Sequence, residues 1–145
     1  MKTFISFLFD MLPSQIVYAH CDVPCGIYDP KPAQIAAATV AKMVEKIEAL
    51  PTKNPSVIDR NNFVRIVWTK EEHAQKCKEE LLILWTDYFK PEHLAMFPNL
   101  HETFWKAAKL CSKNKQSVDM RAAQDLIKAV DEIADIFQKS KQAAK

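Results

Sequence analysis

The chain has 145 residues, of which 48% are hydrophobic and 26% are charged, and its formal net charge is +2. This length allows one domain with one core, and these fractions are typical of a globular protein in water. The 20 basic and 18 acidic residues are mixed along the chain, which argues against a nucleic-acid-binding protein with its basic patch. A single glycine argues against a fold of strands and tight turns.

Residues 1–19, MKTFISFLFDMLPSQIVYA, form a short apolar leader that opens with a positive charge at Lys2. Val17 and Ala19 resemble the small residues that precede a signal-peptidase site, although Asp10 interrupts the apolar run. The run is too short to span a membrane. We expect this leader to be cleaved, either as a weak signal peptide or as a processed leader with another purpose. The alternative is an N-terminal segment that is never cut.

The body of the chain has helical periodicity. Pro32 suits the first turn of a helix, and Pro51 ends the pattern. Between them, apolar residues recur at spacings of four and three, at Ala36, Val40, Met43, Ile47 and Leu50. This pattern predicts a first helix.

A second helical pattern runs from after Pro55 to about Phe89 and is interrupted by Lys70. Thr69 and Glu72 have the spacing of a capping box, which would mark a kink, but no Gly or Pro intervenes. We therefore predict one long helix. Its predicted inward residues are Phe63, Val67, Ala74, Cys77, Leu81, Leu84 and Tyr88.

The remaining sequence predicts a short helical turn at 91–97, a third helix opening at Pro98 and a fourth from about Val118 to Lys139. The inward residues of the third are Leu100, Phe104, Ala108 and Cys111, and those of the fourth are Ala123, Leu126, Val130, Ala134 and Phe137. Four amphipathic helices with short connections predict an all-α fold, an antiparallel four-helix bundle over residues 31–145.

Residues 20–30, HCDVPCGIYDP, do not fit the bundle, because Pro24, Gly26 and Pro30 prevent a regular helix. We interpret them as a compact N-terminal metal-binding hook. Thiolate is a soft metal ligand and imidazole a borderline one, and a turn would bring Cys21 and Cys25 to one ion. The other two cysteines, Cys77 and Cys111, occupy apolar helical positions and are interpreted as buried free thiols.

The hook does not have the four ligands of a structural zinc site, nor the CxxC spacing and context of a redox pair. Cleavage before His20 would instead expose an α-amine beside the Cys21 amide nitrogen. These two nitrogens and the sulfurs of Cys21 and Cys25 would form a planar set, which suits Ni(II) or Cu(II). The His20 imidazole is then near enough to bind axially.

Residues 20–30 resemble the N-terminal nickel hook of the nickel superoxide dismutase family, His-Cys-Asp-x-Pro-Cys-Gly-x-Tyr-Asp-Pro. A second stretch, Trp85 to Pro91 (WTDYFKP), is similar to that family's W-x-D-Y-F-K-P segment and is followed at similar spacing by Pro98 and His101. The resemblance covers the chain from His20 to its C-terminus.

The resemblance implies an oxidoreductase that converts superoxide to dioxygen and hydrogen peroxide, an antioxidant activity, with one nickel ion per subunit cycling between Ni(II) and Ni(III). It implies His20, Cys21 and Cys25 as metal ligands, and Tyr28 and Tyr88 beside the open metal face, where they hold water or the anion and restrict access. It also implies a propeptide removed by a peptidase and a homohexamer. A cytoplasmic location fits the marginal signal best, with export as the alternative.

One departure from the family concerns an acidic residue and an arginine that hold the axial imidazole in some members. The corresponding positions are Ala36 and His73 here, and His73 is the candidate partner of the His20 imidazole. Two other hypotheses stay open from the residues alone. One is a nickel or copper binding and delivery protein without turnover, and the other is a structural bundle with a Cys21–Cys25 disulfide.

Overall fold

The computed structural model describes residues 26–143, and the expected leader and the expected ligands His20, Cys21 and Cys25 lie outside this range. The described part contains five α-helices: α1 (Lys31–Glu48), α2 (Val57–Ile83), α3 (His93–Met96), α4 (Leu100–Gln116) and α5 (Met120–Ala143). A single π-helical turn, Leu84–Tyr88, continues α2. The prediction of an all-α fold with one long second helix is therefore confirmed.

The four long helices form an antiparallel bundle in which α1 packs against α2 and α5, and α4 packs against α2 and α5. Each long helix thus has two neighbours and buries one broad apolar stripe between them. The largest fully buried apolar side chains come from all four: Val40, Val44, Leu81, Leu100, Phe104, Leu126, Val130, Ile133 and Phe137. Among residues 26–143, no helix is long and apolar enough to cross a membrane.

Helix α1 begins where the sequence predicts, with Pro32 in its first turn. Its buried stripe differs in part from the predicted one. Ala36 and Val40 are buried, but Met43, Ile47 and Leu50 lie only half-buried at the margin. The stripe continues instead through Ala33, Ala37 and Val44, because the helix is covered by two neighbours and not by one.

Helix α2 begins with a capping box at Ser56 and Asp59, and not at Thr69. The Ser56 hydroxyl accepts from the Asp59 N–H at 3.1 Å, and an Asp59 carboxylate oxygen accepts from the Ser56 N–H at 2.9 Å. The Ser56 hydroxyl also donates to the Asp59 carboxylate at 2.7 Å. This bond, followed by the one from the Ser56 N–H, lowers the pKa of the Asp59 carboxyl. The helix has 27 residues against 18 in α1, so its first turns extend beyond the end of α1. This explains why Phe63, predicted as inward, is 46% exposed.

Lys70 is the opposite case, since the sequence treats it as an interruption and the structure buries it to 1% exposure. Its ammonium donates to the main-chain oxygens of Asn114 and Lys115, where α4 ends, and pairs with Glu71 at 2.9 Å. The last carbonyls of a helix have no partner within that helix. A cation there also interacts favourably with the negative end of the helix dipole. Lys70 therefore ties the middle of α2 to the end of α4.

Candidate metal centre

The described chain begins at the C-terminal half of the hook. Gly26 has φ of +69°, in the left-handed region that glycine adopts without strain. Asp29 then accepts a hydrogen bond from the Lys31 N–H at 2.8 Å, and Pro30 is buried. These features fix the base of the hook to the first turn of α1.

The end of the hook and the start of α1 lie beside the end of α2. A cavity of about 200 Å³ separates the two, with Ile27, Tyr28, Asp29 and Pro32 on one side and Glu80, Ile83 and Leu84 on the other. The hook therefore emerges beside the point at which α2 changes into the π-helical turn. Turns of this kind are frequent at functional sites.

Tyr28 and Tyr88, the two tyrosines expected beside the metal, are in contact. Their ring centroids are 5.5 Å apart and the ring planes are inclined at 57°. Tyr88 ends the π-helical turn, in which the Phe89 N–H donates to the Leu84 oxygen at 3.1 Å. This i to i+5 bond turns Tyr88 out of the helical register that its spacing predicts, and the side chain is half-buried.

The rest of the WTDYFKP stretch holds this corner together. The Trp85 indole N–H donates to His101 Nδ1 at 2.8 Å, and its ring stacks on Phe104 at 5.8 Å. The Lys90 N–H donates to His93 Nδ1 at 2.9 Å. Hydrogen bonds to His101 and to His93 thus hold the two ends of the segment that carries Tyr88.

The sequence did not indicate two further neighbours of Tyr88. The His93 ring stacks on it at 5.8 Å with 15° between the planes, and the Tyr88 hydroxyl lies 2.8 Å from Ser140 Oγ near the end of α5. Ser140 is buried in a polar-looking tail sequence. The signal that was available is its spacing of three and of seven from Phe137 and Ile133, which places it on the buried stripe.

Ala36 and His73 are the positions that the resemblance aligns with the acidic residue and the arginine that hold the axial imidazole in some members of that family. Ala36 is buried at 1% exposure and has no polar side-chain atom. His73 Nδ1 lies 2.9 Å from the Thr69 oxygen; because a carbonyl only accepts, Nδ1 carries the proton. In the neutral ring Nε2 is then an acceptor, able to bind the N–H of another imidazole.

Cys77 and Cys111 are buried free thiols, as predicted. Their side chains face each other across α2 and α4. The hydrogen bond from one thiol to the other and burial raise the pKa of Cys77. The same hydrogen bond lowers the pKa of Cys111. A thiol that holds its proton, as Cys77 does, is a poor metal ligand and nucleophile.

The comparisons with known proteins agree on one family. The sequence model of the family described as nickel-containing superoxide dismutase matches residues 15–141. The superoxide dismutase [Ni] of Streptomyces seoulensis is 37% identical over 131 residues, which is 90% of this chain and 95% of the relative. That of Streptomyces coelicolor is 35% identical over the same shares.

Solved structures agree with the sequence relatives. A crystal structure of a nickel-containing superoxide dismutase with nickel ligation of the oxidised state is 36% identical with a TM-score of 0.75, covering 85% of this chain and 99% of that one. A native nickel superoxide dismutase at 1.30 Å gives a TM-score of 0.74 at 34% identity, covering 84% and 99%. The chain belongs to the nickel-containing superoxide dismutase family, and it is an oxidoreductase that acts on superoxide with a nickel cofactor.

Proposed function

We propose that the nickel would be held by His20, Cys21 and Cys25, through the His20 α-amine, the Cys21 amide nitrogen and the two sulfurs, together with the His20 imidazole. The donor set fits nickel, because two thiolates and an amide nitrogen are strong anionic donors and planar coordination suits Ni(II). Bound there, nickel supplies one-electron exchange between Ni(II) and Ni(III). The single observation that supports this placement is the contact between Tyr28 and Tyr88, because Tyr28 follows Cys25 by three residues.

Tyr28 and Tyr88 form the wall of the site on the side of the bundle. Both are large rings, and Tyr88 is further packed by Phe89 at 4.9 Å and Phe137 at 4.5 Å. A rigid aromatic wall limits what reaches the metal to small species such as superoxide and water. The phenol oxygens supply hydrogen-bonding positions for water, or for the anion held through such a water, beside the reacting centre.

His73 is the proposed partner of the His20 imidazole. Its Nε2 is left as an acceptor, and an acceptor bound to the distal N–H of a ligating imidazole fixes the ring orientation and raises its basicity. In this chain a neutral histidine would do what a charged pair does in other members of the family.

Residues 1–19 are proposed to be a leader that a peptidase removes, residues 20–30 the nickel hook and residues 31–145 the bundle. Until the leader is removed, the His20 nitrogen is part of a peptide bond and cannot act as an amine ligand. Cleavage therefore switches the site on. We place the enzyme in the cytoplasm, because the leader's interrupted apolar run is a poor export signal.

The assembly is proposed to be a homohexamer. Several large apolar side chains are exposed on the described surface, among them Ile35 at 56%, Trp68 at 72% and Trp105 at 54%. Association of copies would remove such surface from water. Light scattering on the processed chain tests this, with a mass of six subunits expected and a monomer contradicting it.

The ligand assignment is tested with single cysteine variants in the processed chain. Cys21→Ser and Cys25→Ser should each abolish dismutation, since a hydroxyl is protonated and too hard a ligand for this task. Cys77→Ala and Cys111→Ala are the matched controls, because they remove thiols that face each other in the core. Activity kept in either hook variant would overturn the dithiolate site.

A further inference from the structure

Ser140 connects the end of α5 to the proposed aromatic wall. Its side chain is 1% exposed and its Oγ lies 2.8 Å from the Tyr88 hydroxyl, 52 residues away along the chain. The same Oγ lies 2.8 Å from the main-chain oxygen of Phe137. A buried hydroxyl thus stands between a helix carbonyl and a phenol.

The direction of these hydrogen bonds follows from counting protons. The Phe137 carbonyl can only accept, and a serine hydroxyl has one proton to donate. The Ser140 proton is therefore used on Phe137, and the contact with Tyr88 is satisfied only if the phenol donates to Ser140. If Ser140 donated to Tyr88 instead, the Phe137 carbonyl would lose its hydrogen bond from Ser140.

The Tyr88 ring is packed by other rings, which limits its movement. It contacts Tyr28 at 5.5 Å, Phe89 at 4.9 Å, His93 at 5.8 Å and Phe137 at 4.5 Å between ring centroids. With the ring packed on these sides, rotation of the O–H about its bond is the remaining freedom. Ser140 fixes that rotation.

We infer that Ser140 is a positioning residue that holds the Tyr88 proton toward α5, so that Tyr88 offers only an acceptor lone pair to the open side of the site. This inference rests on the proposed role of Tyr88 beside the metal. An acceptor does not bind a bare anion. Tyr88 therefore binds a proton-bearing species, water or the hydrogen peroxide product, and superoxide is held through such a water.

Removing the Ser140 hydroxyl should change anion binding in a way that simple damage to the fold would not. In Ser140→Ala the Tyr88 hydroxyl loses its acceptor and turns to the open side, where it donates directly to an anion. Turnover should fall about three- to tenfold, the worth of one neutral hydrogen bond. Inhibition by azide, a small monoanion, should become tighter by a similar factor.

The experiment measures kcat, KM and azide inhibition in the nickel-loaded processed enzyme for Ser140→Ala, Tyr88→Phe and the double variant. The ¹³Cζ signal of labelled tyrosine, assigned to Tyr88 by its loss in Tyr88→Phe, reports the hydroxyl's hydrogen bond independently of turnover. Ser140→Thr keeps a hydroxyl and should behave as wild type. Ser112→Ala is the control, because Ser112 also bonds a carbonyl of its own helix, Ala108 at 3.3 Å.

We expect Ser140→Ala to shift the Tyr88 signal and tighten azide binding, and both effects of the substitution to vanish in the Tyr88→Phe background. Weaker or unchanged azide inhibition, or equal effects in both backgrounds, would overturn the inference. If Tyr88→Phe itself changes neither turnover nor azide inhibition, the proposed role of Tyr88 fails instead. Should Ser140→Ala not fold, Ser140→Cys, with its weak acceptor, should show the same changes at smaller size.

Discussion

The Tyr28 ring lies against the Tyr88 ring with 5.5 Å between the centroids, so the C-terminal end of the hook contacts the turn that ends the long second helix. One residue comes from the irregular N-terminal segment and the other from the π-helical turn 60 positions later. This contact joins two parts of the sequence that each resemble the family separately. It also gives the hook a rigid surface on the bundle.

The contact predicts different behaviour for two substitutions at Tyr28. Tyr28→Phe keeps the ring and removes the hydroxyl, whereas Tyr28→Ala removes the ring as well. An aromatic pair contributes about 0.5–1.5 kcal/mol beyond its buried area. Tyr28→Ala should therefore lose more activity and hold nickel more weakly than Tyr28→Phe, as measured by competition with a chelator. Equal nickel affinity in the two variants would contradict a supporting role for the ring.

The His20 imidazole is expected to affect turnover more than metal binding. In the processed chain, His20→Ala keeps the α-amine, the Cys21 amide nitrogen and both sulfurs. This variant should still bind nickel in one-to-one ratio but turn over slowly, which nickel analysis and superoxide decay measured on the same sample will show. Wild-type turnover would rule out a role for the imidazole.

Lys70 should be a large contributor to stability despite its charge. Lys70→Met leaves the carbonyls of Asn114 and Lys115 without the ammonium that donates to them. An unsatisfied buried polar group costs about 1–3 kcal/mol, so the free energy of unfolding in urea should fall by about 2 kcal/mol. The exposed Lys76 lies on the same helix, and Lys76→Met should change it by less than about 0.5 kcal/mol. Equal effects of the two would contradict this account.

The raised pKa of Cys77 predicts a loss of stability at high pH. An exposed thiol in the unfolded chain has a pKa of about 8.5, so below that value both states hold the proton and the thiol has no effect. Above it the unfolded chain loses the proton and the folded chain keeps it. Deprotonation therefore stabilises the unfolded state, and the free energy of unfolding falls as the pH rises.

This loss amounts to about 1.4 kcal/mol for each pH unit above the unfolded pKa. Urea unfolding at pH 7.5 and pH 9.5 should therefore show a larger fall in stability for the parent chain than for a chain in which Cys77→Ala and Cys111→Ala are combined, because Cys77→Ala alone also removes the hydrogen bond that lowers the pKa of Cys111. The same burial should leave Cys77 unlabelled by iodoacetamide in the folded protein. Equal pH dependence of the two chains, or rapid labelling, would contradict the assignment.

The helices could be predicted from the sequence because apolar spacing and proline positions determine them directly. The sequence did not correctly predict which side of a helix is buried or which neighbouring helix covers it. Phe63 was expected inside, but α2 outruns α1 at that point and leaves Phe63 46% exposed. Lys70 only interrupted the apolar pattern of α2. Its burial depends on where α4 ends, and the residues of that end lie 44 and 45 positions away.

For the site, spacing alone indicated that Cys21 and Cys25 can share a metal ion, and the resemblance pointed to Tyr28 and Tyr88. The sequence did not indicate the π-helical turn that redirects Tyr88, since one extra residue in a helical turn leaves no composition signal. Ser140 was missed for a related reason. A serine near a charged terminus is usually solvent-exposed, and only the fold brings it to 2.8 Å from the Tyr88 hydroxyl.

We propose that the site uses the α-amine of His20, so that removing the leader activates the enzyme. Nickel is supplied to two purified chains, one starting at Met1 and one at His20, and superoxide disproportionation by both is measured. We expect activity only in the chain that starts at His20. Equal activity in the chain that starts at Met1 would contradict it, because the amine of His20 is then not a ligand.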